Sequence, residues 1–292
     1  MKLHIIEGNT QKLDGGAMFG NAPKALWTRW VTPDDLNRIN MACRCLLMTT
    51  DSGQHILFET GIGNFFEPKL KDRYGVQESE HKLLEGLSHL GLGPDDIDMV
   101  VLSHLHFDHA GGLLSSFEED ISLHLLFKHA RIVVGREQWL HALSPHSRDK
   151  ASYLPILHEK LIEQDQLLLV DSRNQHLILP GLSFSFSHGH TPGLMLAEIE
   201  VEQGVIVFTS DLVPGQHWVH LPICMGYDRF PELIIDEKQA LYERLLKQYD
   251  NVNLFFTHDD QLACAQLIQD DNGRYGINKA ACHQANALFE QD

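Results

Sequence analysis

The stretch SHLHFDHAGG at residues 103–112 places three histidines and one aspartate within six positions: His104, His106, Asp108 and His109. It follows the apolar run DMVVL, which we predict to be a short buried strand. A strand that ends in a tight loop can direct all four side chains to one small volume. Gly111 and Gly112 permit the turn and a close approach of the backbone to whatever is bound there. The alternative is a histidine-rich solvent loop, but loops at the end of buried strands commonly carry function.

Imidazole and carboxylate side chains together are typical ligands of zinc, iron or manganese, and no thiolate is needed. Four such groups in six residues suit either one crowded ion or two ions that share ligands. Three further strand candidates end in residues of the same type: SHGHTPG at 187–193, TSD at 209–211 and THDD at 257–260. We therefore expect these strand ends to meet at one edge of the fold and to complete a metal site.

Composition excludes several classes of partner. The chain has 292 residues and a formal net charge of −17, from 40 acidic and 23 basic residues. Such a surface repels nucleic acid and anionic membranes. The five cysteines are odd in number and form no CxxC pair, which favours reduced thiols. Neither a signal peptide nor an apolar stretch of about 20 residues is visible, so the sequence predicts a soluble cytoplasmic protein.

Apolar runs and turn signals alternate along both halves of the chain, which favours stacked sheets covered by helices. We predict a hairpin from residues 43–50 and 55–60, a strand at 176–179 and a closing helix at 278–290. Residues 144–166 are hard to assign: they form a lid, an insertion or a helix that Pro155 interrupts. No linker is visible, so we expect one domain over residues 1–292, with a lid or insertion at 144–166 and at 212–235.

The motifs HLHFDH, HGHTPG, Ser-Asp and Thr-His, in this order between about residues 40 and 260, resemble the metallo-β-lactamase superfamily. SHLHFDHAGG is most similar to the N-acyl homoserine lactonases and their relatives, which include organophosphate hydrolases. The resemblance implies a four-layer αββα sandwich of the α/β type with a dinuclear metal site. It implies three ligands for the first ion, three for the second and one that bridges them: His104, His106 and His190; Asp108, His109 and His258; and Asp211. His188, in the same motif as His190, is interpreted as a residue behind the ligands or at the surface.

The resemblance also implies a mechanism. Two divalent ions, with zinc as the default and iron or manganese as alternatives, hold a bridging hydroxide that attacks a carbonyl carbon. Asp108 takes the proton of the attacking water and returns it to the leaving group. This sequence departs from the family at Glu59, where an aspartate is usual, and we expect that change to touch no ligand.

A second departure concerns the substrate. The well-known lactonases place a tyrosine three residues after the bridging aspartate, and this chain has Pro214 there. His217 and Tyr227 are the candidates for an equivalent donor. For His217 the alternative is an ordinary loop residue, and for Tyr227 it is packing against Trp218 and Phe230. Phe107 either faces an acyl chain or wedges the loop, with packing as the default.

The acidic surface and the apolar loop at 217–225 favour a small uncharged ester, with a lactone first. A glyoxalase II-like thioesterase would need basic residues after His258, where only Arg274 and Lys279 occur. Phosphotriester or phosphodiester hydrolysis is a further alternative within the fold, and a metal-binding sensor is the non-enzymatic one. Residues 20–40 and 144–166 lack an obvious core role, which is compatible with a homodimer.

Overall fold

The computed structural model describes residues 1–175, 178–202, 204–284 and 289–290. The strands are β1 (Lys2–Ile6), β2 (Gln11–Asp14), β3 (Arg38–Met41), β4 (Cys45–Thr49), β5 (His55–Phe58), β6 (Met99–Leu102), β7 (Arg131–Gly135), β8 (Leu167–Val170), β9 (Leu182–Ser187), β10 (Leu194–Val201), β11 (Gly204–Phe208), β12 (Val252–Phe255), β13 (Leu262–Gln269), β14 (Tyr275–Gln284) and β15 (Phe289–Glu290). The α-helices are α1 (Gly15–Phe19), α2 (Lys24–Trp27), α3 (Pro68–Arg73), α4 (Lys82–His89), α5 (Phe107–Ala110), α6 (Arg136–Leu143), α7 (Pro155–Glu163) and α8 (Pro231–Gln248). The chain divides into two compact units.

The first unit comprises Met1–Lys12, Ala42–Asp171 and the described part of Asn286–Asp292. Its sheet has the strand order β15-β1-β4-β5-β6-β7-β8. Strands β5 to β8 run parallel, and the hairpin of β4 and β5 is antiparallel, as predicted from its sequence. The parallel strands are short runs of Val, Ile and Leu, because both of their faces are buried. Strand β6 ends at Leu102 and delivers the chain directly into the histidine cluster.

The second unit comprises Leu13–Met41 and Ser172–Ala285. Its six-stranded sheet has the order β14-β13-β12-β11-β10-β9. Strand β10 is antiparallel to both β9 and β11, while β11 and β12 are parallel. Strands β9, β11 and β12 therefore run in the same direction, and their carboxyl ends reach the same edge of the sheet. The motifs SHGHTPG, TSD and THDD follow these three strands, so the predicted convergence holds within this unit.

Helix α8 covers the second unit's sheet with a stripe of apolar residues. Ile234, Leu241 and Leu245 are spaced by seven and four positions, which places them on one helical face, and all three are buried. Pro231 occupies the first helical turn, where its missing N–H is not needed. The same helix carries Glu237 and Lys238, two polar residues that brace the loops around the site.

The predicted helix at 278–290 is wrong. Residues Tyr275–Gln284 form strand β14, which pairs antiparallel with β13, and Phe289–Glu290 pair with β1; residues 285–288 lie outside the described part. The helical prediction was overridden here by hydrogen bonding to a neighbouring strand, which no local pattern reveals.

The predicted strand at 176–179 falls partly on residues 176 and 177, which lie outside the described part. Ile178 and Leu179 are described and belong to no strand. The reason is the turn at Pro180 and Gly181, where the glycine has a φ of +78° and Leu182 N donates to Leu179 O at 3.3 Å.

Within residues 144–166, Pro155 begins α7 instead of interrupting a helix. Leu157 and Leu161 of this helix are buried in the core of the first unit. Among the described residues, no helix combines the length and the apolar character needed to cross a membrane. Cytoplasmic location and a homodimer stay predictions.

Candidate metal centre

The histidine cluster of the first unit is buried and closely packed. His106 caps the short helix α5, which carries Asp108 and His109. The ring of His104 lies 4.4 Å from that of His106 and 4.0 Å from that of His109, measured between centroids. Imidazoles packed this closely away from solvent are characteristic of metal ligands.

Neighbouring polar groups fix the orientation of the cluster. Ser103 Oγ lies 2.9 Å from His104 Nδ1, so Nε2 is the nitrogen left for a metal. Gln11 Nε2 donates to Asp108 Oδ2 at 2.7 Å, and the other carboxylate oxygen lies 3.9 Å from His109 Nε2.

The two glycines behind the cluster are required by the backbone of residues 60–62. A Cβ on Gly112 would lie 2.0 Å from Thr60 O, and one on Gly111 would lie 2.5 Å from Ile62 O. The predicted close approach of the backbone at Gly111 and Gly112 exists, and the group that it approaches is the backbone of residues 60–62.

The expectation that Glu59 touches no ligand is wrong. Its Oε1 lies 3.7 Å from His109 Nδ1 and accepts from Ser103 N at 3.0 Å. Ligand atoms of Glu59, His104 and His109 lie within 4.8 Å of one another. Glu59 has a φ of +65°, a strained conformation for a residue with a side chain, and it lies at the turn that follows β5.

In the second unit, one carboxylate lies between two imidazoles. Asp211 Oδ2 is 3.2 Å from His190 Nε2, and Asp211 Oδ1 is 3.2 Å from His258 Nε2. All three residues are buried. The arrangement suits a bridging ligand, because each oxygen of Asp211 is paired with a different histidine.

Asp228 is a residue that the sequence did not reveal. Its Oδ1 accepts from His190 Nδ1 at 2.8 Å and its Oδ2 accepts from Met225 N at 2.7 Å, and the side chain is 1% exposed. A carboxylate on the far nitrogen fixes the tautomer of a ligating histidine and raises its basicity. Asp228 also ties the loop at 212–230 to the His190 turn.

Glu237 of α8 braces the same turn. Its carboxylate accepts from Ser187 Oγ at 2.6 Å, from His188 N at 2.7 Å and from Gly189 N at 3.1 Å. His188 itself accepts from Gly193 N at 3.2 Å through Nδ1, so it stabilises the turn from behind, one of the two places expected for it.

Lys238 holds the neighbouring loop. Its buried ammonium donates to the carbonyl oxygens of Trp218, His220 and Ile223 at 3.0, 3.2 and 2.8 Å. Burial lowers the pKa of Lys238 to about 8, so the group is still mainly protonated at pH 7.

The three predicted substrate residues occupy different environments. Phe107 is buried and packs against Tyr74 and Phe66, with ring centroids 4.6 and 5.5 Å away, which agrees with the packing interpretation. His217 lies in the short 3₁₀ turn Gln216–Val219 and stacks on Trp30 at 5.2 Å. Tyr227 is 42% exposed, so it is available at the surface of its loop.

Each unit thus brings its own share of the predicted ligands together as nitrogen and oxygen donors. These donors fit zinc, iron or manganese, and the buried partners on His104 and His190 leave Nε2 as the ligating atom.

Residues 39–258 match the model of the metallo-beta-lactamase superfamily, which is more than half of the chain. The chain belongs to this superfamily. The predicted metallo-β-lactamase fold of the α/β type is thereby confirmed, and, together with relatives that are lactone hydrolases, so is the prediction of a metal-dependent hydrolase. An N-acyl homoserine lactonase of Bacillus thuringiensis is 29% identical over 243 residues, which cover 78% of this chain and 85% of that protein.

Two solved structures of this superfamily fold illustrate the likeness. A probable metal-dependent hydrolase from Staphylococcus aureus superposes with a TM-score of 0.82 at 28% identity, over 95% of this chain and 96% of that one. AidC, a dizinc quorum-quenching lactonase, superposes with a TM-score of 0.73 at 20% identity, over 94% and 93% of the two chains. The second likeness concerns the fold alone.

Proposed function

We propose that this metallo-β-lactamase is a dinuclear metal-dependent lactonase that opens N-acyl homoserine lactones, a quorum-quenching activity. The observation that carries the proposal is Asp211, whose two oxygens each face a different buried histidine. The names of the curated relatives support the choice of a lactone, since they are N-acyl homoserine lactonases.

The proposal takes the seven predicted residues as the ligands. His104, His106 and His190 would hold the first ion, Asp108, His109 and His258 would hold the second, and Asp211 would be the ligand common to both. Zinc is the default, and iron or manganese would use the same nitrogen and oxygen donors. When bound, two such ions polarise a carbonyl and lower the pKa of water to near neutrality.

Asp108 moves the proton. Its side chain is 12% exposed, so water and substrate can reach it. Gln11 donates to Oδ2 and so orients the carboxylate, which takes a proton from the attacking water. Asp108 then returns this proton to the departing ring oxygen, while the carbonyl carbon keeps the oxygen of water.

The products follow from this balance. The C–O bond of the lactone breaks, a new C–O bond to the water oxygen forms, and the leaving alcohol stays tethered to the new acid. The carboxylic acid ionises at neutral pH and releases one proton for each ring opened. An uncharged substrate suits a chain with a net charge of −17 and the apolar loop at 217–225.

The test is proton release by metal-loaded protein with a long-chain N-acyl homoserine lactone, against a chelated sample. We expect metal-dependent turnover with kcat/KM above about 10⁴ M⁻¹s⁻¹, the ordinary enzyme range. Absence of turnover from protein that retains two ions per chain would contradict the lactonase assignment. Thioesters and phosphotriesters, tested on the same sample, would then identify which alternative of the fold applies.

A further inference from the structure

We propose that Tyr153 and Gln138 are positioning residues that hold His106 in the orientation required for metal binding. The inference rests on the proposed function only in taking His106 as a ligand. It assigns a role to the segment before α7, which the sequence left open between a lid, an insertion and an interrupted helix.

Tyr153 contacts His106 in two ways. The two residues form an isolated antiparallel β-bridge, so their backbones are aligned. The tyrosine ring also meets the imidazole edge-on, with centroids 4.9 Å apart and planes at 71°. Tyr153 is 5% exposed, so its ring is a fixed wall against which the imidazole can neither tilt nor rotate freely.

Gln138 joins this wall to the backbone of the histidine motif. Its Oε1 accepts from the Tyr153 hydroxyl at 3.2 Å and from Leu105 N at 3.4 Å. Leu105 separates His104 from His106, so one amide oxygen fixes both the tyrosine behind His106 and the peptide in front of it. Gln138 is fully buried, where hydrogen bonds are stronger and their loss is more costly than at the surface.

A second pair anchors the segment that carries Tyr153. His141 Nε2 donates to Asp149 Oδ2 at 2.8 Å, and both side chains are largely buried. This bond links α6 to the 3₁₀ turn Lys150–Ser152, directly before Tyr153. Helix α6 also carries Gln138, so both contacts on His106 depend on the same rigid element.

Tyr153 gives His106 an aromatic wall and an aligned backbone, while a hydroxyl lies on the far nitrogen of His104 and a carboxylate on that of His190. Removal of the wall should loosen His106 alone, and thus weaken one of the two ions more than the other.

The test compares Y153F, which deletes the hydroxyl, and Y153L, which deletes the ring, with Y242F as a matched control. Tyr242 is also buried, lies in the second unit and is not part of the site, so Y242F removes the same atom elsewhere. Zinc dissociation constants are measured by competition with a chromophoric chelator, and the ligand field is followed by the visible spectrum of the cobalt-substituted protein.

We expect Y153L to weaken one of the two ions by about tenfold or more and to shift the cobalt spectrum, as outer contacts of ligands commonly do. Y153F should produce a smaller change of the same kind, and Y242F none. Equal affinities and unchanged spectra in Y153L would overturn the proposal. So would an equal weakening of both ions together with a lower melting temperature, because that is the result of a purely structural role.

These measurements need no substrate. If the wild type binds two ions and Y153L loses one, but no lactone is opened, the proposed function fails and the inference stands. A wild type that binds no ion overturns both.

Discussion

The substitution E237Q tests whether Glu237, which is not a predicted ligand, holds the turn that carries His190. Glu237 contacts no predicted ligand side chain, yet its carboxylate accepts from one hydroxyl and two backbone amides of the turn at 187–189. Glutamine keeps the size of the side chain and replaces one accepting oxygen with an NH₂ group, which faces donors and cannot accept from them.

The magnitude follows from the three hydrogen bonds. A bond to a charged group contributes about 1.5–3 kcal/mol, and a neutral one contributes about 0.5–1.5 kcal/mol. The difference is about 1–1.5 kcal/mol per bond, so loss of the charge from all three costs about 3–4.5 kcal/mol. Glu237 is only half-buried, and solvent reduces this value, so we expect the free energy of unfolding to fall by about 2 kcal/mol. Because the turn carries His190, zinc affinity should fall about tenfold as well.

The assay is urea denaturation of the metal-free protein, followed by a zinc titration of the folded variant. The matched control is E243Q on the same helix, where the side chain is exposed and accepts a hydrogen bond from Gln239. E243Q should change stability by less than about 0.5 kcal/mol, as surface substitutions usually do. If E237Q matches E243Q in both stability and zinc affinity, the turn is held by other contacts and the reasoning is refuted.

Three further predictions concern other parts of the chain. Burial lowers the pKa of His158 from 6.5 to about 4. As the pH falls, His158 therefore takes up its proton in the unfolded chain before it does so in the folded one. The free energy of unfolding should then decrease by about 3 kcal/mol between pH 6.5 and pH 4. In H158L this part of the slope should vanish, whereas H129Q, at a histidine that is 71% exposed, should keep it. K238M removes the three hydrogen bonds that Lys238 donates to the loop at 218–223, so KM for the lactone should rise by a larger factor than kcat falls. The control is K247M, on the exposed face of α8. Unchanged kinetics in K238M would contradict a role of Lys238 in placing the loop. D228N replaces the carboxylate that accepts from His190 Nδ1 with a neutral amide, so zinc affinity should fall about 10–100-fold. An affinity equal to that of the wild type would mean that His190 does not need a charged partner.

The clustering of the predicted ligands could be foreseen because its signal is local. His104, His106, Asp108 and His109 lie within six residues, and the remaining ligands follow directly on strands that the apolar runs reveal. The side chains at the end of a buried strand are neighbours in the sequence, so a short motif shows them. The direction of β9, β11 and β12 then explains why three separate motifs reach one sheet edge.

The partners of the ligands were not predictable in this way. Asp228 is 38 residues from His190, and Glu237 is 48 or 49 residues from the amides it holds. Neither residue belongs to a motif, and aspartate and glutamate are common at the surface, so nothing in the sequence marks them. The same holds for Gln138, which is 33 residues from Leu105.

Two wrong expectations have backbone causes. Glu59 has a φ of +65° and its carboxylate lies 3.7 Å from His109 Nδ1, and a local backbone conformation of this kind cannot be read from residue type. The strand β14 replaced a predicted helix because its partner β13 supplies the hydrogen bonds, and strand pairing depends on a neighbour that the local pattern does not show.

The most direct test of the dinuclear lactonase is a titration of metal-free protein with zinc while proton release from an N-acyl homoserine lactone is followed. The account predicts that turnover rises until two equivalents of zinc are bound per chain and then stops rising. A plateau at one equivalent, or ring opening that does not depend on zinc, would contradict the account.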